Sequence, residues 1–420
     1  MVTPSSLREL TYGMPAITEP LIRSRSGGLI AALTFSTLAT GLLQICLPLE
    51  LRHLRASPGE IGVTLSMFGF GMFTFEWLWG LIADRIGHRA PLVASQLLYA
   101  GCVALLSQGG SVPIIAAAYF LASSMMVAAG PVARSYLGTA LHARLRATGL
   151  ALVSAQWVVA SAVGAGVGGQ LIDHLPIREV MLAAALLPVI SGLLLIRVFR
   201  GYSHIEHGNR STDGDEARMI ESRGGASVMK VLAVTATLVF LVQVGLGGEL
   251  ALLPLLVTSH LQLSAASAGG AMLVAGVLGG VLLVPGGSAS DRWGRKPTMI
   301  VGGIISAAGF VVYANAGGFG MVIAGAVLRA FGTALIWPAA TAWIAESTPR
   351  RRQGLYMGLY GEFEGLGVSV GPIVGGAVWS IAGIQSAFLV YAVAALLAAA
   401  IAAALVRRRE PAALTDVLAR

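Results

Sequence analysis

Residues 80–89 read GLIADRIGHR, and residues 287–296 read GSASDRWGRK. The two stretches share a Gly, an Asp-Arg pair, a second Gly and a closing basic residue, 207 positions apart. The repeat extends outward from there. At the same offset Pro131 matches Pro338, Gly164 matches Gly371, and Gly168-Gly169 match Gly375-Gly376. His53-Leu54 and Ser57 likewise match His260-Leu261 and Ser264, while Pro48 and Pro254 match at an offset of 206. No gap is needed from His53 to Gly169, so the chain reads as two copies of one unit.

Composition says what kind of unit. Of 420 residues 56% are hydrophobic and only 11% charged, against about 25% charged in ordinary soluble domains. The 54 glycines follow no Gly-X-Y period; small residues at this density suit membrane helices that approach closely. A spanning helix needs about 20 apolar residues. Twelve stretches qualify: 28–49, 61–83, 90–109, 112–138, 148–172, 177–198, 229–256, 264–288, 297–316, 319–345, 354–379 and 384–406. The expected architecture is an all-α membrane protein of twelve transmembrane helices in two pseudo-symmetric six-helix bundles. The bundles occupy 28–198 and 229–406, joined by a polar cytoplasmic linker at 199–228. An extension at 1–27 and a tail at 407–420 complete the chain. Residues 1–27 are polar with no apolar h-region, so no cleaved signal peptide is expected.

Lys and Arg give the orientation. Of 28, 23 lie at the termini, the even-numbered loops and the central linker; Arg52, Arg55 and Arg178 lie on the other side, and Arg134 and Arg329 lie within helices. That bias places both termini in the cytoplasm, with the chain multi-pass in an inner (plasma) membrane. It also accounts for the net charge of +8 with no nucleic-acid partner. Cys46 and Cys102 sit in apolar runs, so no disulfide framework is implied. The histidines are scattered singly, which argues against a metal site. GAGVGG at 164–169 fits G-x-G-x-x-G but lies inside an apolar helix, without the strand a dinucleotide site needs. No cofactor is expected, and no nucleophile-base or metal constellation marks an enzyme.

With this layout, GLIADRIGHR resembles the loop between helices 2 and 3 of the major facilitator superfamily, and GSASDRWGRK resembles its weaker copy between helices 8 and 9. The resemblance covers residues 28–406 and implies secondary transport by alternating access. It further implies a cytoplasmic gating latch carried by Gly80, Asp84, Arg85, Gly87 and Arg89, and by Gly287, Asp291, Arg292, Gly294 and Arg295. Gly80 is expected to admit a close helix, Gly87 a tight turn, and Asp84 a positive helix terminus or basic partner. The alternative is that these charges serve topology only.

A second mark is GLYGEFEGLGVSVGPIVGG at 358–376. It resembles the family's antiporter motif through Gly358, Gly367, Gly371, Pro372, Gly375 and Gly376. In exporters of the family this motif occupies helix 5; here it is complete on helix 11, and helix 5 has Ala165 where Pro would stand. Small-residue helix packing also accounts for these glycines. A third mark, an Arg on helix 4 of proton-linked drug exporters, is replaced by Ala122, whereas helix 10 carries Arg329-Ala-Phe-Gly332.

Charges within the bilayer are costly and call for a reason. Six are expected there: Glu76, Arg134, Glu249, Arg329, Glu362 and Glu364. At ~1.5 Å per residue, Glu249 and Arg329 lie at matched depth, as do Glu76 and Arg134, which gives two candidate pairs. The first pair reads equally as a fixed brace of the bundle. Glu362 and Glu364 lie about 200° apart around their helix, so only one can face a cavity. That segment is the first choice for proton coupling and Glu249 the second. Gln44, Gln156, Trp157, Gln243 and Trp337 are expected to line the cavity or to act as helix-helix glue. The reading is proton-coupled export, by antiport, of a small organic or amphipathic compound through a monomer in the lipid bilayer. Symport uptake of a metabolite is the runner-up; a transporter-like sensor or subunit that moves nothing is the alternative of another class.

Overall fold

The computed structural model describes residues 25–141, 143–200, 217–348 and 353–406. Most of the expected amino-terminal extension, residues 201–216 of the expected linker and the tail lie outside the described residues. Twelve helices are long and apolar enough to cross a membrane, and the described chain has no strand. In hydrocarbon the backbone must satisfy its own polar groups, which helices do within one segment.

In chain order these are α1 (Ser26–His53), α2 (Pro58–Ile86), α3 (Arg89–Ser107), α4 (Val112–Met126 continued as Ala129–Ala140), α5 (Ala143–Ile172) and α6 (Ile177–Ala184 continued as Leu186–Val198). The second half holds α7 (Ala217–Leu255), α8 (Ala265–Trp293), α9 (Arg295–Ala314), α10 (Phe319–Ser347), α11 (Gln353–Ala382) and α12 (Ile384–Leu405). The spans at 112–138 and 177–198 are thus each interrupted, at 127–128 and at 185. Proline lacks the N–H that would bond four residues back, so Val127 ahead of Pro131 and Ala184 ahead of Pro188 lose that helical bond, and the Val127 carbonyl accepts from the Gly130 N–H at 3.1 Å instead. α7 begins at Ala217, inside the segment expected to be linker, where ARMIESR is rich in strong helix formers. A π-turn, Leu256–His260, extends α7 beyond Pro254.

The helix ends follow local chemistry. α2 opens on a capping box, with Ser57 and Glu60 bonding each other's backbone N–H. Gly87 and Gly294 end α2 and α8 at φ 86° and 92°, a conformation L side chains rarely adopt. This is the tight turn expected of the repeated loop.

The halves meet along two seams, α2 against α11 and α5 against α8. Gly62 meets Pro372 and Gly376, Gly69 meets Ser369, Gly169 meets Gly269, and Gly276 meets Ala162. A Cβ at Gly169 would lie 2.5 Å from the Ala265 carbonyl oxygen and 3.0 Å from Gly269 Cα. These approaches involve 58–73 of α2 and 265–280 of α8, the parts farther from the chain termini. Toward the termini-bearing face Trp77, Leu81, Val281 and Val284 are exposed, and the halves stand apart. The protein is closed at one face and open at the termini-bearing one. Gly169→Val is expected to destabilise by about 1–3 kcal/mol, as overpacking does, read as a lower unfolding midpoint in detergent. Gly80→Ala, whose added Cβ would meet nothing within 4 Å, should leave that midpoint unchanged or raise it.

Candidate functional site

Between the seams lies a cavity of about 330 Å³, walled by α1, α2, α4, α5, α7, α8, α10 and α11. Its walls are mainly apolar, with Met72, Met126 and Met272 among them. Gln44, Gln156, Trp157, Gln243 and Trp337, all proposed from the sequence, do line it. Gln156 donates to Thr37 Oγ1 at 3.0 Å, so it also ties α5 to α1.

The charged residues sort into two levels. Arg329 Nε donates to Glu249 Oε2 at 2.8 Å, and the Tyr313 hydroxyl donates to Glu249 Oε1 at 3.0 Å. The Arg329 guanidinium lies 4.0 Å above the Phe310 ring. Only 3% of the Arg329 side chain and 8% of the Glu249 side chain are exposed. Phe310, Tyr313, Phe388 and Tyr391 form a contiguous aromatic cluster behind the pair. Each charge is therefore matched, hydrogen-bonded and packed, as burial demands. Sequence reasoning paired these two charges but missed Tyr313 and Phe310. A tyrosine on a neighbouring apolar helix was the available signal.

The second level lies nearer the open face. Arg134 and Glu76 form an ion pair between α4 and α2, with side chains 50% and 20% exposed. Across the cavity, Glu364 Oε1 accepts from Trp337 Nε1 at 2.9 Å, and Tyr360, one turn earlier, contacts the same carboxylate. Glu76 and Arg134 lie within electrostatic reach of Glu364. Glu364 stands on the cavity wall and Glu362 does not, as the angle between them requires. Glu364 thus differs from Glu76 and Glu249. Among the described residues it has hydrogen-bond donors but no Arg or Lys in an ion pair.

The glycine motif on α11 packs as a small-residue face. Gly367 and Gly371 lie against α7, Gly375 against Tyr391 of α12, and Gly376 against Gly62 of α2. The Tyr391 hydroxyl donates to the Gly371 carbonyl at 2.9 Å. Gly358 stands apart, with nothing near a Cβ placed there.

The two copies of the repeated loop differ. In the second, Arg295 bonds Asp291 at 2.6 Å, Glu346 at 2.7 Å and Ser290 Oγ at 2.9 Å, all within one half. In the first, His88 replaces that Arg and contacts Ser135 Oγ at 3.0 Å. Asp84, Arg85 and Arg89 are exposed, and Asp84 has no hydrogen bond or ion pair among the described residues. The close helix expected at Gly80 is not there. The halves are apart at this face, and a Cβ at Gly80 would meet nothing within 4 Å. Gly287 meets only Pro338, in ordinary contact at 3.8 Å, and Arg292 is exposed.

Comparison with known proteins fits this geometry. The family description Major Facilitator Superfamily matches residues 29–282 and 235–419. The chain belongs to the Major Facilitator Superfamily. It is 26% identical over 359 residues to the class C tetracycline resistance protein of Escherichia coli, covering 84% of this chain and 89% of that one. It is 31% identical over 110 residues to the methylenomycin A resistance protein of Bacillus subtilis (strain 168), covering 26% and 24%. Among solved structures, a mutant of the nucleoside transporter NupG superposes with a TM-score of 0.73 at 15% identity, covering 91% and 100%. A bacterial homologue of the human lysosomal transporter Spinster, inward-facing and unoccupied, superposes with a TM-score of 0.74 at 13% identity, covering 95% and 100%. These two structural likenesses concern the fold alone. The superfamily member described here is a multi-pass membrane transporter and not an enzyme.

Removing one partner of a buried ion pair strands the other. Arg329→Leu should therefore destabilise by about 3–5 kcal/mol, and Glu249→Leu with Arg329→Leu should recover much of that loss. Unfolding midpoints of the single and double variants measure the coupling.

Proposed function

We propose that this transporter exports a small amphipathic organic compound, preferentially a cation, in exchange for protons, with Glu364 as the exchanging carboxylate. The observation that carries the reading is Glu364 itself: a carboxylate on the cavity wall, held by Trp337, without an ion-pair partner and facing the Glu76–Arg134 pair. A carboxylate in that position can exchange a proton for a cation without first breaking an ion pair. With two carboxylates, Glu76 and Glu364, facing one guanidinium, Arg134, on its wall, the open end of the cavity favours positive charge. Trp157, Trp337 and the methionines suit an apolar or aromatic body. The relatives named for resistance to tetracycline and to methylenomycin A support export.

The cycle follows from competition. A cationic substrate entering from the cytoplasm meets ionised Glu364. The halves rock about the two glycine seams, and a proton arriving from the other side displaces the substrate from the carboxylate. Asp84, unengaged in the open state, is placed at the cytoplasmic mouth to meet a partner when that face closes. Both termini lie in the cytoplasm, the membrane is the inner (plasma) membrane, the unit is a monomer, and 28–198 and 229–406 are the moving bodies.

The test uses inside-out vesicles with an acidic interior and a pH-reporting dye, challenged with organic cations and amphipaths. Wild type should release protons on addition of a substrate. Glu364→Gln should abolish that release at unchanged protein level, whereas Glu362→Gln should retain it. Proton release surviving in Glu364→Gln removes this residue from the role; silence across the panel moves uptake by symport to the front. In the same assay, Asp84→Asn should lower flux by about tenfold or more, the loss expected of one charge-assisted contact, without changing the unfolding midpoint.

A further inference from the structure

At the closed face one carboxylate crosses from half to half. Asp173, just beyond α5, accepts from the Ala265 backbone N–H through Oδ1 at 3.0 Å and from the Ala266 backbone N–H through Oδ2 at 3.1 Å. These are the first two amides of α8, donors that a helix cannot satisfy internally. Immediately below, Gly169 and Gly269 bring the two helices to van der Waals contact.

The repeat shows why the contact exists on one seam only. α2 and α8 start at equivalent serines, Ser57 and Ser264, and each serine caps its own third residue. α2 then needs little more. Its first residue is Pro58, which has no N–H, and Glu60 closes the capping box. In α8 the equivalent positions are Ala265 and Ser267. Ala265 adds a donor, and Ser267 is too short to reach back as a Glu does. The position equivalent to Asp173 is Ser380, whose hydroxyl turns back onto Gly376 and Ala377 of its own helix. Among the described residues the α2–α11 seam thus closes on packing alone, and the α5–α8 seam closes on packing plus two charge-assisted hydrogen bonds.

We propose that Asp173 is an outer latch, a positioning residue that holds the outside-closed state by capping α8 from the opposite half and must release before the cavity opens outward. This rests on alternating access and is independent of which ion or substrate is carried. Opening the outer face breaks both bonds at once, since acceptor and donors sit on different moving bodies. A bond present in one state and absent in the other shifts the equilibrium by its full strength.

The experiment reads conformation, not flux. A single reporter cysteine, Thr333→Cys on the cavity wall, is placed in a chain carrying Cys46→Ala and Cys102→Ala. A membrane-impermeant maleimide is applied to the outer side of right-side-out vesicles. Asp173→Asn keeps the shape and halves the acceptor capacity. Ala265→Pro keeps the carboxylate and deletes one donor, at a helix position that accepts proline and follows a residue already extended at ψ 160°. Each variant should raise the labelling rate roughly tenfold, the population shift that follows loss of one hydrogen bond to a charged group. Both rates rising supports the latch; an unchanged rate in either correctly inserted variant overturns it. Should Asp173→Asn fail to insert, Ala265→Pro decides alone.

Discussion

Everything in this transporter depends on two helical bundles touching along two narrow seams. Lipid offers no hydrophobic drive for such contact, so close approach of backbones has to supply it. That is the work of Gly62, Gly69, Gly169 and Gly269. Charges stay off these seams, apart from Asp173 at one rim, and gather on the cavity they enclose.

The two copies of the unit have kept a common frame and divided the chemistry. The second half is braced: Glu249, Arg329, Tyr313 and Phe310 lock three helices together, and Arg295 ties Asp291 to Glu346. The first half has different residues at the equivalent positions. Ala122 stands where Arg329 would be, and His88 stands where Arg295 would be. The first half is braced elsewhere, with Arg178 bonded to Glu50 at 2.9 Å between α6 and α1 and the Trp79 indole donating to the Ser124 carbonyl at 2.7 Å.

Much of this was legible in the chain. Spans and repeat follow from apolar run length and from exact spacing, which no tertiary contact alters. Pairing Glu249 with Arg329 and Glu76 with Arg134 also followed, because helical rise fixes depth. Azimuth is a different matter. Which helix face turns toward which neighbour is set by packing, so Tyr313, Phe310 and Tyr360 escaped notice although each is an ordinary aromatic in an apolar run. At Gly80 the expected close helix is absent, and an added Cβ would meet nothing within 4 Å. Asp173 was invisible because its partners are backbone amides 92 and 93 residues away, a kind of partner that leaves no mark in residue identity.

The short turns at Gly87 and Gly294 carry a mechanical implication. They join α2 to α3 and α8 to α9 through one or two residues, so the end of each inner helix fixes where the next helix starts. α2 and α8 border the cavity, while α3 and α9 take no part in its wall and turn leucine, isoleucine and valine side chains outward. A displacement of an inner helix at the turn therefore carries the adjoining end of a lipid-facing helix. The helices that border the cavity and those that meet lipid are thereby tethered at one end, which gives bilayer and cavity a mechanical connection.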